Sequence, residues 1–524
     1  MKKKTFMINA LILTGTSFIN MMIGMFFRVY MSNKIGAEGI GLYQLVTAVY
    51  FFAATFSTTG ISLTVTRLVT DFVAKKQYLQ AKKVVAKCLA LGVGISVFAA
   101  IIMFTLAKQI GVNILKDART VLSLQILAPS LPFVAISSCF RGYFYAVRRV
   151  IKTASEQLFE QIIEIVVFMI LIGNFAPRGI EYACAAVVIG TTLSEILSCV
   201  YSYLLYINDV KKIPKAADKY KKGNLSSNLF LILLPLTASA SLRAGLSTLE
   251  NILIPSGLKR YGASSTKALY TYGLICGMVM PIIAFPALIL MSFSMLLIPE
   301  MSEANAINQK ANINYIAEKV LKVTLIFSIM IMNIFLFFSK DLCCAIYSNS
   351  NCSVYLSIFA PLVPVMYLDK IVDGMLKGLN QQMYYLSYNI IDSSVRVLLI
   401  FILLPFVGIK GFIIMTFVST ILNSSLSVVR LLKVTCLKFN FTQWVIGPLI
   451  CSTISGIFVK FMFANNFYDS TILKMILEFV FSIALYITLL IFFCVIKKSE
   501  MVWLKKLIHL TACMSQNRQN NGKS

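Results

Sequence analysis

"LAPSLPFVAISSCFRGYFYAVRR", residues 127–149, is apolar enough for a membrane interior. It nevertheless carries Pro129, Pro132 and Arg141 ahead of the basic pair Arg148 and Arg149. An echo of it with the same proline spacing, "FAPLVPVMYLDKIVDGMLKGLNQQ", begins at Phe359. One constant offset of 232 residues aligns Ala128 with Ala360, Pro129 with Pro361, Pro132 with Pro364 and Gly142 with Gly374. The register continues into the next segment, where Ser155 meets Ser387, Gln157 meets Asn389 and Glu160 meets Asp392. A gapless match across a helix, a loop and a second helix indicates internal duplication.

The rest of the chain sets the medium in which this repeat sits. The protein has 524 residues, of which 58% are hydrophobic and 13% charged. A soluble protein of this size could not hide that much apolar surface. Apolar runs of about 20 residues, separated by short polar stretches, are the pattern of helices crossing a bilayer about 30 Å thick. The alternating segments of a membrane barrel are absent. The sequence predicts an all-α, polytopic membrane protein with fourteen spans. They fall at about 8–32, 42–70, 84–107, 120–146, 154–173, 180–207, 226–255, 267–297, 316–339, 353–377, 385–406, 411–430, 444–464 and 471–496.

The net charge of +27 does not point to nucleic acid, because Lys and Arg concentrate in short connections where topology explains them. Their bias places both termini on the cytoplasmic face of the plasma membrane. MKKK followed by a long apolar run is read as a retained first span rather than a cleaved signal. Spans 1–6 then form an N-lobe, residues 1–207, and spans 7–12 a C-lobe, residues 226–430. The basic segment "NDVKKIPKAADKYKKGN" lies in the connection 208–225. Residues 431–496 hold two extra spans, and 497–524 form a basic cytoplasmic tail that opens with "KKSEMVWLKKLIHL". An even number of spans per lobe gives both lobes the same orientation, a known transporter architecture.

Twelve cysteines are scattered. Cys343, Cys344 and Cys352 cluster in one loop, where either a disulfide or free thiols fit. The single histidine, His509, lies in the tail, so no histidine metal site or proton relay is expected in the membrane. No cofactor and no metal are predicted.

Charge inside the spans marks the candidate site, because unpaired charge in hydrocarbon costs about 2.5–3.5 kcal/mol on insertion scales. Arg28, Arg67, Arg141 and Arg243 stand in spans 1, 2, 4 and 7. Arg67 and Arg141 either line a cavity or snorkel to the cytoplasmic surface. Gln157, Glu160, Gln161 and Glu164 share one face of span 5. Asp373 lies in span 10 beside Asp369 and Lys370. Asp392 and Arg396 are one turn apart in span 11, where they can pair. Glu195 and Glu250 are given no role. Together these helices predict a polar, net cationic interior between the lobes, and guanidinium suits bidentate binding of phosphate. Pro129, Pro132, Pro361 and Pro364 each remove a backbone hydrogen bond and mark either hinges or bends needed for packing.

"NKIGAEGIGLYQL" (33–45), "TGISLTVTRLVTDFVAKK" (59–76), "APSLPFVAISSCFRGYFYAVRRVIKTASEQLFEQIIEI" (128–165) and "MSFSMLLIPEMSEA" (291–304) resemble the stage V sporulation protein B family. This is a branch of the polysaccharide transporters related to lipid II flippases. The resemblance implies a V-shaped pair of six-helix lobes around a central cavity. It also implies flipping of a lipid-linked cell-wall precursor by alternating access, in the service of peptidoglycan, including spore cortex. Arg28 and Arg67 resemble the cavity arginines of that family by position, and Arg243 matches more weakly. Arginines would meet the diphosphate, and the acidic and amide groups the sugars and peptide. The expected partners are the lipid-linked oligosaccharide, membrane lipids and cell-wall synthesis enzymes. A related cation or drug antiporter, which Glu160 and Glu164 keep open, is the first alternative; a scaffold for wall-synthesis enzymes is another. A membrane glycosyltransferase would need a long catalytic loop, and none is present.

Overall fold

The computed structural model describes residues 2–75, 77–211, 225–437, 439–463 and 471–493. Most of the 208–225 connection and the whole 497–524 tail with His509 lie outside the described residues.

Every regular element among the described residues is a helix. Among the described residues, twelve helices are long and apolar enough to cross a membrane. One of them, Gly15–Val73, runs 59 residues. At about 1.5 Å per residue that is close to 90 Å, enough for two crossings. The expected connection between the first two spans contracts to a single non-helical residue, Gly36, at φ 72° and ψ 176°. Glycine reaches that conformation without steric cost. Leu225–Arg260 is a further helix of 36 residues, outside those twelve.

The duplication read from residues 127–149 is written into the helix ends. Tyr78–Thr105 and Lys310–Phe337 begin and end 232 residues apart. So do Thr120–Leu127 and Cys352–Phe359, Leu131–Ala146 and Val363–Gly378, and Val150–Phe175 and Gln382–Val407. Left-handed residues recur at the same interval: Lys116 (φ 55°) with Ser348 (φ 51°), and Arg148 (φ 59°) with Asn380 (φ 60°).

The proline pairs do not sit inside helices. The first proline of each is the middle residue of a one-turn 3-10 segment, Ala128–Ser130 or Ala360–Leu362, and the second falls in the first turn of the α-helix that follows. There the missing N–H has no partner to lose. The interruption of each span is therefore tolerated locally, and the backbone remains right-handed helical on both sides of it.

The chain packs as two compact units, residues 1–288 with 389–419 and residues 289–388 with 420–524. In the first, Ile61, Val65, Val84, Cys139, Phe140 and Tyr143 form one buried cluster. Phe27, Met31, Phe168, Ile172 and Val187 form another. Backbone closeness is strict at Gly142: a Cβ there would lie 2.6 Å from the Ser62 carbonyl oxygen. In the second unit the repeat partner behaves alike, since a Cβ on Gly374 would lie 2.7 Å from the Ser294 carbonyl oxygen. Ser62 and Ser294 are themselves 232 residues apart.

The cysteine loop resolves to a Cys343–Cys352 disulfide with Cys344 free. In the first repeat the matching positions are Gly111 and Thr120.

Candidate functional site

Asn20, Gly24 and Arg28 lie one turn apart along the first helix, so they face the same way. They line a cavity of ≈ 340 Å³ in the first unit. Gln161, from the Val150–Phe175 helix, completes the polar wall. In the amide orientation that satisfies both its groups, Gln161 donates to the Asn20 carbonyl at 2.9 Å and accepts from the Gly24 N–H at 2.8 Å. Gly24 leaves room for this contact, because a Cβ there would meet the end of the Gln161 side-chain amide at 2.7 Å. The opposite wall is apolar: Pro281, Ala284, Phe285 and Leu288. A guanidinium thus opens into a pocket with one polar and one apolar side.

Arg67 and Arg243 are exposed in the same unit and do not line this cavity. Arg141 is placed differently from either sequence option. It neither snorkels nor joins Arg28. Its guanidinium pairs with Glu156 at 3.8 Å and Glu160 at 3.9 Å. The Ser198 hydroxyl lies 3.1 Å from Glu156 and 3.3 Å from Glu160, and Thr191 donates to Glu164 at 2.8 Å. The expected stripe therefore splits. Glu160 and Glu164 turn towards Ile180–Val210, Gln161 turns to the first helix, and Gln157 is half-buried outside the cavity lining.

Asp392 does pair with Arg396, at 3.2 Å. Arg396 also reaches Glu250 at 3.0 Å and donates to Ser419, which in turn donates to Asp392. In the second unit, Asp373 pairs with Lys377 at 2.8 Å, and Asn423 donates to Asp369 at 3.3 Å.

Two acids set aside in the sequence reading have clear surroundings. Glu250 is the interhelical partner of Arg396. Glu195 is buried within electrostatic reach of Glu160, Arg141, Glu156 and Glu164. Glu156 was missed altogether, although it continues the line of Glu160 and Glu164 at a spacing of four. Ile180–Val210 runs past residue 207, and its Asp209 is buried between Arg149 and Lys152. One of the two arginines closing the opening stretch therefore serves an ion pair. Among the described residues no group of three or more His, Cys, Asp or Glu is arranged to hold a metal ion.

Residues 6–304 match the model of the family described as polysaccharide biosynthesis protein. The chain belongs to that family. The chain is 26% identical over 510 residues to stage V sporulation protein B of Bacillus subtilis (strain 168), covering 96% of this chain and 98% of that protein. It is 21% identical over 381 residues to sporulation protein YkvU of the same organism, covering 72% and 83%. Among solved structures, the lipid II flippase MurJ in an inward closed conformation superposes with a TM-score of 0.65 at 15% identity, covering 92% of this chain and 99% of that one. An inward-facing multidrug resistance MATE family transporter gives 0.63 at 11% identity, covering 80% and 94%. At these identities the structures show the fold: this polysaccharide biosynthesis family member is a multi-pass helical membrane protein with a transporter fold.

Proposed function

We propose that the protein flips a lipid-linked cell-wall precursor, a polyprenyl-diphosphate saccharide of the lipid II class, across the plasma membrane by alternating access. The observation that carries this reading is the Arg28 cavity. A lipid-linked sugar diphosphate has an anionic head that cannot cross hydrocarbon unaided, and a guanidinium inside a span offsets its desolvation. The apolar wall of Pro281, Phe285 and Leu288 suits the lipid end. Family membership and the match to a sporulation protein over nearly the whole chain support a role in wall synthesis, with spore cortex peptidoglycan as the product served.

In this reading Arg28, Arg67 and Arg243 meet the diphosphate in turn as the cavity changes access. Glu164, Gln157, Asp373 and Asp392 contribute to the polar path for the saccharide, with Arg141 and Glu160 as a paired element beside it. The Pro129/Pro132 and Pro361/Pro364 turns act as paired hinges. In this proposal the chain has fourteen spans, counted from its apolar runs, the charge bias of the connections sets both termini on the cytoplasmic side, and the repeat divides spans 1–12 into lobes 1–207 and 226–430.

The test is lipid II translocation in proteoliposomes. Wild type should move it, and Arg28→Ala should not. Full activity in Arg28→Ala, Arg67→Ala and Arg243→Ala alike would refute the reading. A second reading, cation antiport, draws on the glutamates around Arg141. Tight binding of cationic dyes, with none of lipid diphosphates, would favour it.

A further inference from the structure

The first repeat carries charge that it does not balance itself. Glu156, Glu160 and Glu164 stand on successive turns of one membrane helix, and Glu195 approaches them from Ile180–Val210. Glu156 is 1% exposed and Glu195 8% exposed. One Oε of each is buried with no hydrogen-bond partner among the described residues. Arg141 is the guanidinium facing them, and at 3.8 and 3.9 Å its contacts are too long for hydrogen bonds. Ser198 stands between Glu156 and Glu160 with a single proton to give. Four ionised carboxylates against one guanidinium would leave a large unpaired negative charge within the membrane, which is unfavourable.

The second repeat shows the alternative. At the 232-residue interval, Asp392 replaces Glu160 and Arg396 replaces Glu164. There the guanidinium is bound to Asp392 at 3.2 Å and to Glu250 at 3.0 Å. The neutralising cation is covalently attached. In the first repeat a glutamate occupies that same place, Arg141 is the attached cation beside the cluster among the described residues, and any further neutralising cation has to come from solution. No three of these carboxylates converge as a metal shell. A metal ion needs several oxygens around one point, whereas a proton needs one.

We propose that Glu160, with Glu156 and Glu195 behind it, forms an exchangeable proton site whose loading and release are coupled to the transport cycle. Glu160 is the port, since its side chain is 25% exposed. The proton is taken from water onto a carboxylate oxygen and returned to water, while Arg141 keeps its charge. The other groups facing the cluster are Tyr145 from its own segment, Cys199 from Ile180–Val210, and Tyr43 and Tyr50 from the first helix. The coupling rests on the flippase reading; the proton site does not.

The closing experiment uses the purified full-length protein in nanodiscs, without substrate. Infrared difference spectra are recorded as the pH is lowered through neutrality. A protonated-carboxyl C=O band should grow in wild type and in the surface control Asp71→Asn. It should shrink in Glu156→Gln, Glu160→Gln and Glu195→Gln, and Glu164→Arg, which copies the second repeat, should abolish it. Glu160→Asp should keep it, which separates loss of the carboxyl from misfolding. A band untouched by any of these variants overturns the site, and displacement of the band by Na⁺ at fixed pH overturns the proton as its ligand. In proteoliposomes, lipid II movement should accelerate under a pH gradient in wild type and lose that response in Glu195→Gln; a response retained in Glu195→Gln overturns the coupling. Absence of lipid II movement in wild type, with the infrared band intact, refutes the flippase reading alone.

Discussion

Arg396 and Glu250 close a 3.0 Å ion pair between helices 146 positions apart in the chain. The same guanidinium holds Asp392 and Ser419, so a single side chain ties three membrane helices. Arg396 and Glu250 are part-exposed, whereas Asp392 is nearly buried, so removing the guanidinium leaves chiefly the Asp392 charge uncompensated, at a cost of about 1–3 kcal/mol. Arg396→Ala should therefore lower the thermal midpoint of the detergent-solubilised protein by several degrees. Arg396→Lys should recover part of the loss, because a point charge cannot span both carboxylates as the planar fork does.

Arg28 makes the opposite kind of prediction. It lines a cavity and is exposed there, so little packing depends on it. Arg28→Ala should leave thermal stability within about 0.5 kcal/mol of wild type, while lipid II translocation falls by about tenfold or more, as expected for loss of a charged hydrogen bond to the substrate. Parallel loss of stability and transport would mean that the residue is structural.

Gly142 and Gly374 should respond alike. Each Cβ would enter the space of a serine carbonyl on the neighbouring helix, at 2.6 and 2.7 Å. Both alanine variants should lose about 1–3 kcal/mol by overpacking, measured by chemical or thermal denaturation. A neutral result at only one of them would break the structural equivalence of the repeats at that crossing.

Outside the membrane spans, Asp117 gives a pH dependence. Partial burial pushes its carboxyl up, but the Arg119 side chain, backed by the Arg119 N–H and the Ser265 hydroxyl, brings it below its ordinary value. Arg119 also holds Glu38 at 2.8 Å. A carboxyl depressed in the folded state stabilises fully above its unfolded value, about pH 4, and loses that contribution as pH falls through the folded value. Thermal stability should therefore drop below about pH 4, and Asp117→Asn should flatten that part of the profile while lowering the plateau above it.

Peptide mapping under non-reducing conditions should recover Cys343 linked to Cys352, with Cys344 alkylated as a free thiol. Recovery of a Cys344 linkage would contradict the structure.

Much of the fold was legible because each signal for it is local. A run of apolar residues meets a slab of fixed thickness, and a proline pair meets its own copy 232 residues on. These facts fix helices, their approximate number and the duplication without any knowledge of packing. Even the interruption at Pro129 and Pro132 could be read, although not its form: a 3-10 turn between two helices needs coordinates to be seen.

The site was less legible, and the reason is geometric. Helical periodicity says which residues share a face but not which neighbour that face meets. Glu160 and Glu164 were found as a stripe, yet only the packing of Val150–Phe175 on Ile180–Val210 brought Glu195 and Ser198 to them. Arg141 read as a ligand or a snorkelling residue until the fold placed two carboxylates beside it. Glu250 had no role until a helix 146 positions away delivered Arg396. The sequence by itself determined the membrane class, the helices and the repeat, because hydrophobic length and local backbone chemistry are properties of contiguous residues. Only the tertiary structure decided which buried charges are balanced within the chain and which are not, because in a low-dielectric interior that balance depends on distances between residues the chain keeps far apart.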